Sequence, residues 1–402
     1  MSSSSTPRSE RIWPPTAESS LPEDGADALL VGRAWNPDHG TPSVVVVRDN
    51  QLVDITDIFP TMSHLTEAPN PSRAVRSASG TAIGSFSEVL ANTAADTPDV
   101  ELPCLLSPID LHAVKAAGVT FAVSMIERLI EERAGGDAKL AAELRAEIGG
   151  ILGGEIHDLV PGTDAAAELA AVLKERGLWS QYLEVGIGPD AEIFTKAQPL
   201  SSVGTAVDIG VLSTSSWNNP EPEVALMINA GGKIVGATLG NDVNLRDYEG
   251  RSALLLSKAK DNNASASIGP LIRLFDEKFG LDEVREAEVK LEIFGEDGFA
   301  LHETSSLTEI SRDPAELVSQ LIGSHHQYPD GAVLMLGTLF APTVDRDGPG
   351  RGFTHKRSDV VRISSARIGA LVNIVEHSES CTPWTLGARE LMTMLARRGV
   401  LK

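Results

Sequence analysis

The sequence predicts an α+β protein with a small N-terminal domain, a helical connection and a β-rich C-terminal domain. Strand patterns rich in β-branched residues occur towards both ends of the chain. Apolar residues at helical spacing fill the middle. The length of 402 residues leaves room for two or three domains. We expect the N-terminal domain at 26–108, the connection at 109–178 and the C-terminal domain at 179–402.

Residues 1–25 are predicted to be a disordered tail. The stretch MSSSSTPRSERIWPPTAESSLPEDG is rich in Ser, Pro and charge, and it offers too little apolar surface to order itself. Trp13 is its one candidate anchor. The N-terminal domain then opens on a hairpin, because TPSVVVVRDNQLVDITD places the turn residues Asp49 and Asn50 between two strand patterns.

The middle of the chain predicts helices. SMIERLIEERAGGDAKLAAELRAEIGG and TDAAAELAAVLKERG both have apolar residues at helical spacing, with Gly where each helix would end. Strands return after Trp179 and continue almost to the C-terminus. Further helices are predicted only around Asp247–Lys260 and near Asp313–His325.

The composition excludes several classes of protein. A formal net charge of -22 repels phosphates, so we expect no nucleic acid partner. No apolar run reaches the roughly 18 residues of a membrane span and no signal peptide pattern opens the chain, so we expect no membrane and a cytoplasmic location. Cys104 and Cys381 are too few and too isolated for a thiolate site, so any metal would take oxygen or imidazole ligands.

The stretch Asn218–Asp247, NNPEPEVALMINAGGKIVGATLGNDVNLRD, carries the main functional signal. Side chains on a strand alternate, so Glu221 and Glu223 share one face. Gly231-Gly232 predicts a two-residue hairpin loop, because both positions accept positive φ angles. With these glycines as the loop, Glu221 lies opposite Asp242, about 5 Å away between Cβ atoms.

Three carboxylates placed together repel one another unless a cation lies among them. The hairpin therefore predicts a site for a hard divalent ion, with Mg²⁺ first and Mn²⁺ or Ca²⁺ as alternatives. The competing interpretation is structural: Glu221 and Glu223 end a solvated strand, and Asp242 forms an Asx turn with Asn241. A register shift of one residue would separate Asp242 from the glutamates.

Four motifs resemble, in order and spacing, those of the fumarylacetoacetate hydrolase superfamily. They are PDAEIFTKAQP (Pro189–Pro199), PEPEVALMI, GNDVNLRD and KAKDNNASASIGP (Lys258–Pro270). The resemblance covers most of 179–401 and implies a C-terminal catalytic domain built as a mixed β-sandwich roll. It also implies that Glu221, Glu223 and Asp242 bind the metal.

Within that superfamily, WNNPEPE, AKDNNAS, EISRDP and HQYPDG are most similar to sugar-acid dehydratases that act on 2-keto-3-deoxy-pentonates. The resemblance implies a Mg²⁺-dependent hydro-lyase that converts 2-keto-3-deoxy-D-xylonate or D-arabinonate to 2,5-dioxopentanoate (2-oxoglutarate semialdehyde) in oxidative pentose catabolism. The implied partner is a small 2-keto acid, without an organic cofactor. A homodimer or a homotetramer is the implied assembly.

Lys260 takes the place of the family's active-site lysine. Lys258 lies close enough in sequence to be confused with it, and a basic residue at a helix end also suits the helix dipole. In the implied chemistry a base removes a proton from C3 of the substrate. Lys260 or Glu127 would be that base, and a lysine would need a lowered pKa to act near neutrality.

Three more residues are candidates for substrate binding. Arg246 would bind a carboxylate or hydroxyl through its fork of donors, or else pair with Asp247 or Glu249. In the family, a threonine at the position of Thr338 meets the substrate carboxylate beside the metal; the alternative is an ordinary strand-end hydroxyl. Ser306 would border the pocket and contact substrate hydroxyls.

The alternative function is a hydrolase or decarboxylase that cleaves a carbon–carbon bond of an acylpyruvate or another 2-oxo acid. Hydrolases of the family carry a His–Glu pair in the segment that corresponds to AGVTFAVSMIER. Here Phe121 stands where an aromatic residue is expected, Ser124 replaces the histidine, and Glu127 remains as a possible acid or base or as solvated helix surface. The missing histidine favours the lyase. A third class is a carbohydrate-acid sensor or structural metal protein without turnover.

Overall fold

The computed structural model describes residues 12–401 except 26, 136, 138, 142, 145–158, 176, 178, 339, 341 and 350. The strands are β1 (Leu30–Asn36), β2 (Thr41–Arg48), β3 (Gln51–Asp54), β4 (Thr81–Ser85), β5 (Cys104–Leu106), β6 (Ala113–Ala117), β7 (Ile193–Ala197), β8 (Asp208–Val211), β9 (Asn218–Asn219), β10 (Pro222–Ile228), β11 (Ile234–Asp242), β12 (Asn244–Leu245), β13 (Ala266–Leu274), β14 (Glu288–Phe294), β15 (Ala300–Ser306), β16 (Ala332–Met335), β17 (Val360–Ser365) and β18 (Gly369–His377). The helices are α1 (Ala17–Ser20), α2 (Met62–Thr66), α3 (Pro71–Ser77), α4 (Phe86–Thr93), α5 (Ala122–Arg133), α6 (Asp164–Glu175), α7 (Gln181–Ile187), α8 (Arg246–Glu249), α9 (Leu256–Lys260), α10 (Leu281–Arg285), α11 (Pro314–Leu321) and α12 (Ala388–Arg398).

The strands form two large sheets, so the predicted α+β class is confirmed. The first sheet runs in the order β4-β3-β2-β1-β13-β11-β10-β16-β6-β7, and β5 also pairs with β1. Its neighbouring strands are antiparallel except for the parallel pair β16 and β6. The second sheet runs β15-β14-β17-β18-β8, and β9 pairs with β12 separately. The hairpin β10–β11 therefore lies near the middle of the first sheet.

The main hydrophobic core lies between the two large sheets. It joins Leu226 and Leu239 of the first sheet to Leu291, Ile363 and Leu371 of the second. The opposite face of the first sheet is covered by a separate apolar cluster. Two packed layers of this kind are how sheets bury their apolar faces.

Strand β10 is buried on both faces, which explains its unbroken apolar sequence. Val224, Leu226 and Ile228 face the core between the sheets. Ala225 and Met227 point the other way, into the second cluster. Because the side chains alternate, a strand covered on both sides needs apolar residues at every position. The carboxylates that flank this strand are consequently drawn into the interior.

The predicted hairpin at Asp49-Asn50 is confirmed. Strands β2 and β3 pair up to Arg48 and Gln51, directly beside the two turn residues. Asp49 and Asn50 have φ angles of 48° and 61°. Two positive φ angles are typical of the tight hairpin turn whose twist matches the strands, and Asp and Asn tolerate them.

The prediction of a disordered tail is wrong for its second half. Helix α1 is capped by Thr16, and Trp13 packs against an apolar cluster of the N-terminal strands. Asp24 forms an ion pair of 2.6 Å with the buried Arg273. The polar composition of this stretch does not predict these contacts, because they are made with residues far away in sequence. Residues 1–11 lie outside the described part of the chain.

The middle region combines helices with one strand that was not predicted. Helices α5 and α6 confirm the helical spacing there, and the part of the first pattern at 145–150 lies outside the described residues. Strand β6, within the predicted helical connection, pairs with β16. Its short AVKAA sequence has no clear alternation, so only the neighbouring strand reveals it. No helix in the described parts of the chain is long and apolar enough to span a membrane.

The later helices are shorter than predicted. The pattern at Asp247–Lys260 forms α8, a 3₁₀ turn and α9 in place of one helix. Helix α11 ends at Leu321, two residues before Gly323. The predicted domain boundaries remain predictions, although hydrogen bonds between β1 and β13 join the N-terminal strands to the later ones.

Candidate active site

The hairpin β10–β11 positions the three acidic residues. Glu223 pairs with Gly240, and the Asp242 N–H donates a hydrogen bond of 3.0 Å to the carbonyl oxygen of Glu221. The predicted register at the acidic end of the hairpin is therefore confirmed.

The predicted two-residue loop at the other end is wrong. The Asn229 N–H donates to the carbonyl oxygen of Lys233 at 3.0 Å, and Gly232 has a φ angle of 81° in a three-residue loop. The Asn229 side chain accepts hydrogen bonds from the N–H groups of Gly231 and Lys233, which stabilises this longer turn. Val235 then forms a bulge that returns the strands to the predicted register.

The three carboxylates lie close together inside the protein. One oxygen from each of Glu221, Glu223 and Asp242 falls within 4.8 Å of the others, and all three residues are buried. The Gly337 N–H donates to Glu223 Oε2 at 2.6 Å. Burial and the nearby charges of Asp242 and Glu221 raise the pKa of Glu223 well above its usual value. The solvated strand end considered as an alternative is therefore wrong for this stretch.

Lys260 lies at the end of α9, beside two of these carboxylates. Its ammonium contacts Glu221 and lies 3.0 Å from Asp242 Oδ2. Burial would lower the pKa of Lys260, but the charges of Asp242 and Glu221 outweigh burial and raise the pKa. Lys258 is exposed and does not line the site, which separates the two candidate lysines.

Lys196 is a second lysine at the site, and the sequence analysis did not single it out. Its Nζ lies 2.9 Å from Asp242 Oδ1 and donates to the carbonyl oxygens of Val243 and Lys260 at 2.9 and 2.6 Å. Burial lowers the pKa of Lys196. The charges of Lys196 and Lys260 outweigh the effect of burial on Asp242 and lower the pKa of that carboxyl. The IFTKAQP motif contains Lys196 and was the available signal.

Arg128 on α5 is the third cation beside the carboxylates. One of its guanidinium nitrogens contacts Glu221, and another lies 2.7 Å from Glu131 and 3.0 Å from Glu249. Burial would lower its pKa, but the surrounding acids outweigh burial and raise the pKa well above its usual value. Helix α5 thus inserts a fixed positive charge into the site.

The three carboxylates, Lys260 and Arg128 line one small cavity. It combines the acidic cluster with hydroxyl groups, an aromatic ring and a backbone turn that joins β6 to α5. Its lining residues are Ala117, Gly118, Val119, Ser124, Arg128, Glu192, Phe194, Glu221, Glu223, Asp242, Glu249, Lys260 and Thr338.

Glu192, just before β7, is a further carboxyl group of the cavity that the sequence analysis missed. Burial raises its pKa to about 7, with a smaller contribution in the same direction from the charge of Glu249. A carboxyl with a pKa near neutrality can accept and return protons at working pH. The signal was available in PDAEIF, where a glutamate precedes the first motif strand.

Two more predicted site residues line the cavity, besides Lys260 and the three carboxylates. They are Ser124, whose hydroxyl donates to the Phe121 carbonyl oxygen at 2.9 Å, and Thr338, whose hydroxyl donates to the Phe340 carbonyl oxygen at 3.0 Å. Phe121 itself packs in the core between the sheets, and Phe194 is the aromatic ring at the cavity. The Phe194 ring centre lies 5.3 Å from the Lys260 ammonium.

Besides Phe121, three predicted residues lie outside the cavity lining. Arg246 is buried with Glu131 at 3.1 Å, so it pairs with a residue of α5 and not with the neighbours considered from sequence. Glu127 is buried, which excludes the solvated helix surface, but it does not line the cavity. Ser306 caps a turn at the end of β15. Their predicted roles are not supported by these positions.

The donor set of the cavity fits a hard divalent cation. Its three clustered ligands are carboxylates, and neither a thiolate nor an imidazole is among the lining residues described. Oxygen-rich sites of this kind suit Mg²⁺, Mn²⁺ or Ca²⁺. Glu221, Glu223 and Asp242 are the residues that would hold the ion.

Residues 215–376 match the sequence model of the family described as Fumarylacetoacetate (FAA) hydrolase C-terminal. Residues 215–376 are thus similar to this C-terminal domain, in agreement with the resemblance that the four motifs carry.

Two curated relatives are similar to about half of the chain. One is the 2-dehydro-3-deoxy-D-arabinonate dehydratase of Saccharolobus solfataricus, 34% identical over 191 residues that make up 48% of this chain and 60% of the relative. The other is a probable 2-keto-3-deoxyxylonate dehydratase of Haloferax volcanii, 31% identical over 202 residues that make up 50% of this chain and 66% of the relative. The matched stretch thus spans less than two thirds of each relative.

Solved structures share the fold over a longer range. The apo form of a 2-keto-3-deoxy-D-arabinonate dehydratase superposes with a TM-score of 0.60 at 22% identity, covering 87% of this chain and 99% of the other. A structure of 2-keto-3-deoxy-D-arabinonate dehydratase complexed with magnesium and 2,5-dioxopentanoate gives a TM-score of 0.58 at 21% identity with the same coverage. The fold therefore extends beyond the matched domain into the N-terminal strands.

Proposed function

We propose that this protein is a divalent-metal-dependent dehydratase of 2-keto-3-deoxy-pentonates, which forms 2,5-dioxopentanoate. The observation that carries the proposal is the buried cluster of Glu221, Glu223 and Asp242. The same cavity contains Glu192, whose carboxyl group has a pKa of about 7. The names of the two curated relatives and of the magnesium complex support the proposal. We further propose Mg²⁺ as the ion and the cytoplasm as the location.

A divalent ion held by the three carboxylates would polarise the carbonyl of a bound 2-oxo acid and stabilise the negative charge that develops when C3 loses a proton. Glu192 is the proposed base, in place of the predicted Lys260 or Glu127. Its pKa near 7 lets it take the proton, whereas the carboxylates beside Lys260 favour the charged ammonium. Lys260 then contributes positive charge and orients Glu221 and Asp242.

In the proposed reaction Glu192 both takes and returns the proton that the dehydration transfers. The C3–H bond breaks towards Glu192, the C4–O bond breaks, and a C3–C4 double bond forms. Protonated Glu192 can return its proton to the departing hydroxyl, so that one water leaves. A later proton shift from C5 to C3 moves the double bond from C3–C4 to C4–C5 and gives the enol of the aldehyde. Loss of the enol O–H proton and protonation of C4 then give 2,5-dioxopentanoate.

The polar lining favours a hydroxylated substrate over an acylpyruvate. Ser124, Arg128 and Glu249 place polar atoms at the cavity wall, which suit the hydroxyl groups of a sugar acid better than an apolar acyl chain. Ser124 also occupies the place of the histidine used by hydrolases of the family. Hydrolysis of a carbon–carbon bond is therefore the less favoured function.

The test is a substrate screen with Mg²⁺. We expect 2-keto-3-deoxy-pentonates to yield an aldehyde, detected with a coupled semialdehyde dehydrogenase, and EDTA to stop the reaction. Glu221→Gln and Asp242→Asn should each lower turnover more than about 100-fold, because each removes an ion ligand. Glu288→Gln, at the exposed first residue of β14, is the matched control and should keep full activity. Full activity of either ligand variant in EDTA, or cleavage of acylpyruvates in place of dehydration, would contradict the proposal.

A further inference from the structure

Gly118 lies directly against the Glu192 carboxylate in the cavity wall. The Gly118 N–H donates to the main-chain carbonyl oxygen of Glu192 at 3.1 Å, where the strand pair β6 and β7 ends. A Cβ atom built on Gly118 would lie 1.9 Å from Oε2 and 2.6 Å from Cδ of Glu192. Non-bonded atoms do not approach so closely, since the optimal separation is about 3.5–4.0 Å. Any side chain at position 118 must therefore displace this carboxylate.

The displacement would leave the fold largely intact. Gly118 does not have a positive φ angle, so an alanine there meets no backbone strain. The obstacle is the end of a rotatable side chain and not backbone, so Glu192 can turn aside at small cost. Substitution at Gly118 should therefore move the Glu192 carboxylate and leave the stability of the protein nearly unchanged.

The turn that follows Gly118 is held rigidly. Val119 is buried and has a φ angle of 47°, which a β-branched residue adopts only under constraint from its surroundings. The Thr120 hydroxyl donates to the carbonyl oxygen of Leu336 at 2.7 Å. Gly337, which follows Leu336 in the chain, donates its N–H to the Glu223 carboxylate. One strand end therefore anchors both this turn and a carboxylate of the acidic cluster.

We propose that Gly118 is a positioning residue for Glu192. Because Gly118 has no side chain, the Glu192 carboxylate can occupy the space beside it. The rigid turn 118–120 holds this space in a fixed position relative to the acidic cluster. The inference rests on the proposed function, in which Glu192 removes the C3 proton. It assigns to Gly118 an effect on proton removal without an effect on ion binding.

The test measures proton removal apart from dehydration. Purified full-length protein with Mg²⁺ is incubated with 2-oxopentanoate in D₂O, and exchange of the C3 protons is followed by NMR; this substrate has no C4 hydroxyl to lose. Gly118→Ala should lower the exchange rate about 100-fold, the typical contribution of a positioned base, while KM stays within a few-fold. Mn²⁺ affinity and the thermal midpoint should remain close to those of the unsubstituted protein. Gly231→Ala, at an exposed glycine with ordinary contacts, is the control and should exchange normally.

A second variant distinguishes positioning from a structural role. Aspartate is one methylene shorter than glutamate, so Glu192→Asp makes room for an alanine at position 118. We expect the double variant Gly118→Ala, Glu192→Asp to exchange faster than Gly118→Ala alone, although Glu192→Asp by itself slows exchange. Normal exchange in Gly118→Ala, or a double variant no faster than the single one, would overturn the inference.

The same assay keeps the two proposals apart. If the unsubstituted protein exchanges C3 protons but releases no water from 2-keto-3-deoxy-pentonates, the proposed dehydration fails and the inference on Gly118 is still decided by the variants. If the unsubstituted protein does not exchange C3 protons at all, both proposals are overturned.

Discussion

At the scale of single residues, positive side chains surround the acidic cluster. Lys260 and Arg128 both contact Glu221, and Lys196 and Lys260 both contact Asp242. A divalent ion that binds to the three carboxylates would have to enter against these positive charges. The two lysines lie on strand β7 and helix α9 within the core, whereas Arg128 belongs to the helical middle region. Of the three cations, Arg128 is the one that helix α5 supplies.

Removing the charge of Arg128 should strengthen ion binding. We expect Arg128→Gln to bind Mn²⁺ about tenfold more tightly in the absence of substrate, because the ion no longer competes with a guanidinium for Glu221. The variant will also be less stable, since Glu249 loses the cation paired with it and Glu131 keeps only Arg246. Titration calorimetry of the metal-free protein measures the affinity.

Arg128→Lys is the matched control for that measurement. It keeps the positive charge, so its Mn²⁺ affinity should stay near that of the unsubstituted protein. Weaker ion binding in Arg128→Gln would contradict the expected competition and would show that the guanidinium orients Glu221 for the ion.

At the scale of elements, the hairpin β10–β11 decides whether the site forms. Its loop is one residue longer than the glycine pair predicted, and the bulge at Val235 compensates for this residue before the acidic end is reached. Register at Glu221 and Asp242 is thus fixed by burial of both strand faces, since a slip would turn apolar side chains out of both clusters.

The loop itself should matter for stability but not for chemistry. Gly232 has a φ angle of 81°, so Gly232→Ala should lower the free energy of unfolding by about 1 kcal/mol. Because the bulge and the strand faces hold the register, Mn²⁺ affinity and turnover should not change. Gly231→Ala, without a positive φ angle, should unfold like the unsubstituted protein. Chemical denaturation compares the three proteins, and loss of ion binding in Gly232→Ala would show that the loop sets the register.

At the scale of the whole molecule, the two ends of the chain are joined. Arg398 of α12 lies 3.0 Å from Asp54 of β3 and donates to the Ser43 hydroxyl at 2.7 Å. Burial would raise the pKa of Asp54, but hydrogen bonds from Arg398, Thr56 and Ser43 outweigh it and lower the pKa to about 2. The C-terminal helix thus pairs with the N-terminal strands through the Asp54 carboxylate, which loses its negative charge in acid.

This contact should make part of the stability dependent on pH. A carboxyl with a lowered pKa stabilises the fold above its unfolded pKa of 3.8, and the contribution disappears as the pH falls to about 2. The pKa difference corresponds to about 2 kcal/mol. We expect Asp54→Asn to be less stable than the unsubstituted protein by about this amount at pH 6, with a difference that shrinks below pH 4. Denaturant melts across this range measure it, and a difference independent of pH would exclude the linkage.

The sequence by itself determined the strand pairs with strong local signals and the acidic cluster. The turn at Asp49-Asn50 and the alignment of Glu221 with Asp242 follow from local turn chemistry and from side-chain alternation, which act over a few residues. Lys260 and Thr338 were reached through the family resemblance and do line the cavity. The family domain itself was identified from four motifs in order.

Only the tertiary structure decided which distant groups meet. Glu192 precedes strand β7 and Lys196 lies on it, and the sequence of this strand does not show which distant side chains they meet. Arg128 reaches Glu221 from a helix some ninety residues earlier in the chain. Arg246 and Phe121 point to other partners for the same reason. Charge pairing and close packing depend on position in space, and side chains brought together by non-local strand pairing leave no periodic pattern along the sequence. The proposed functions of Glu192 and Gly118 therefore follow from the fold, while the place for the ion was already visible in the hairpin.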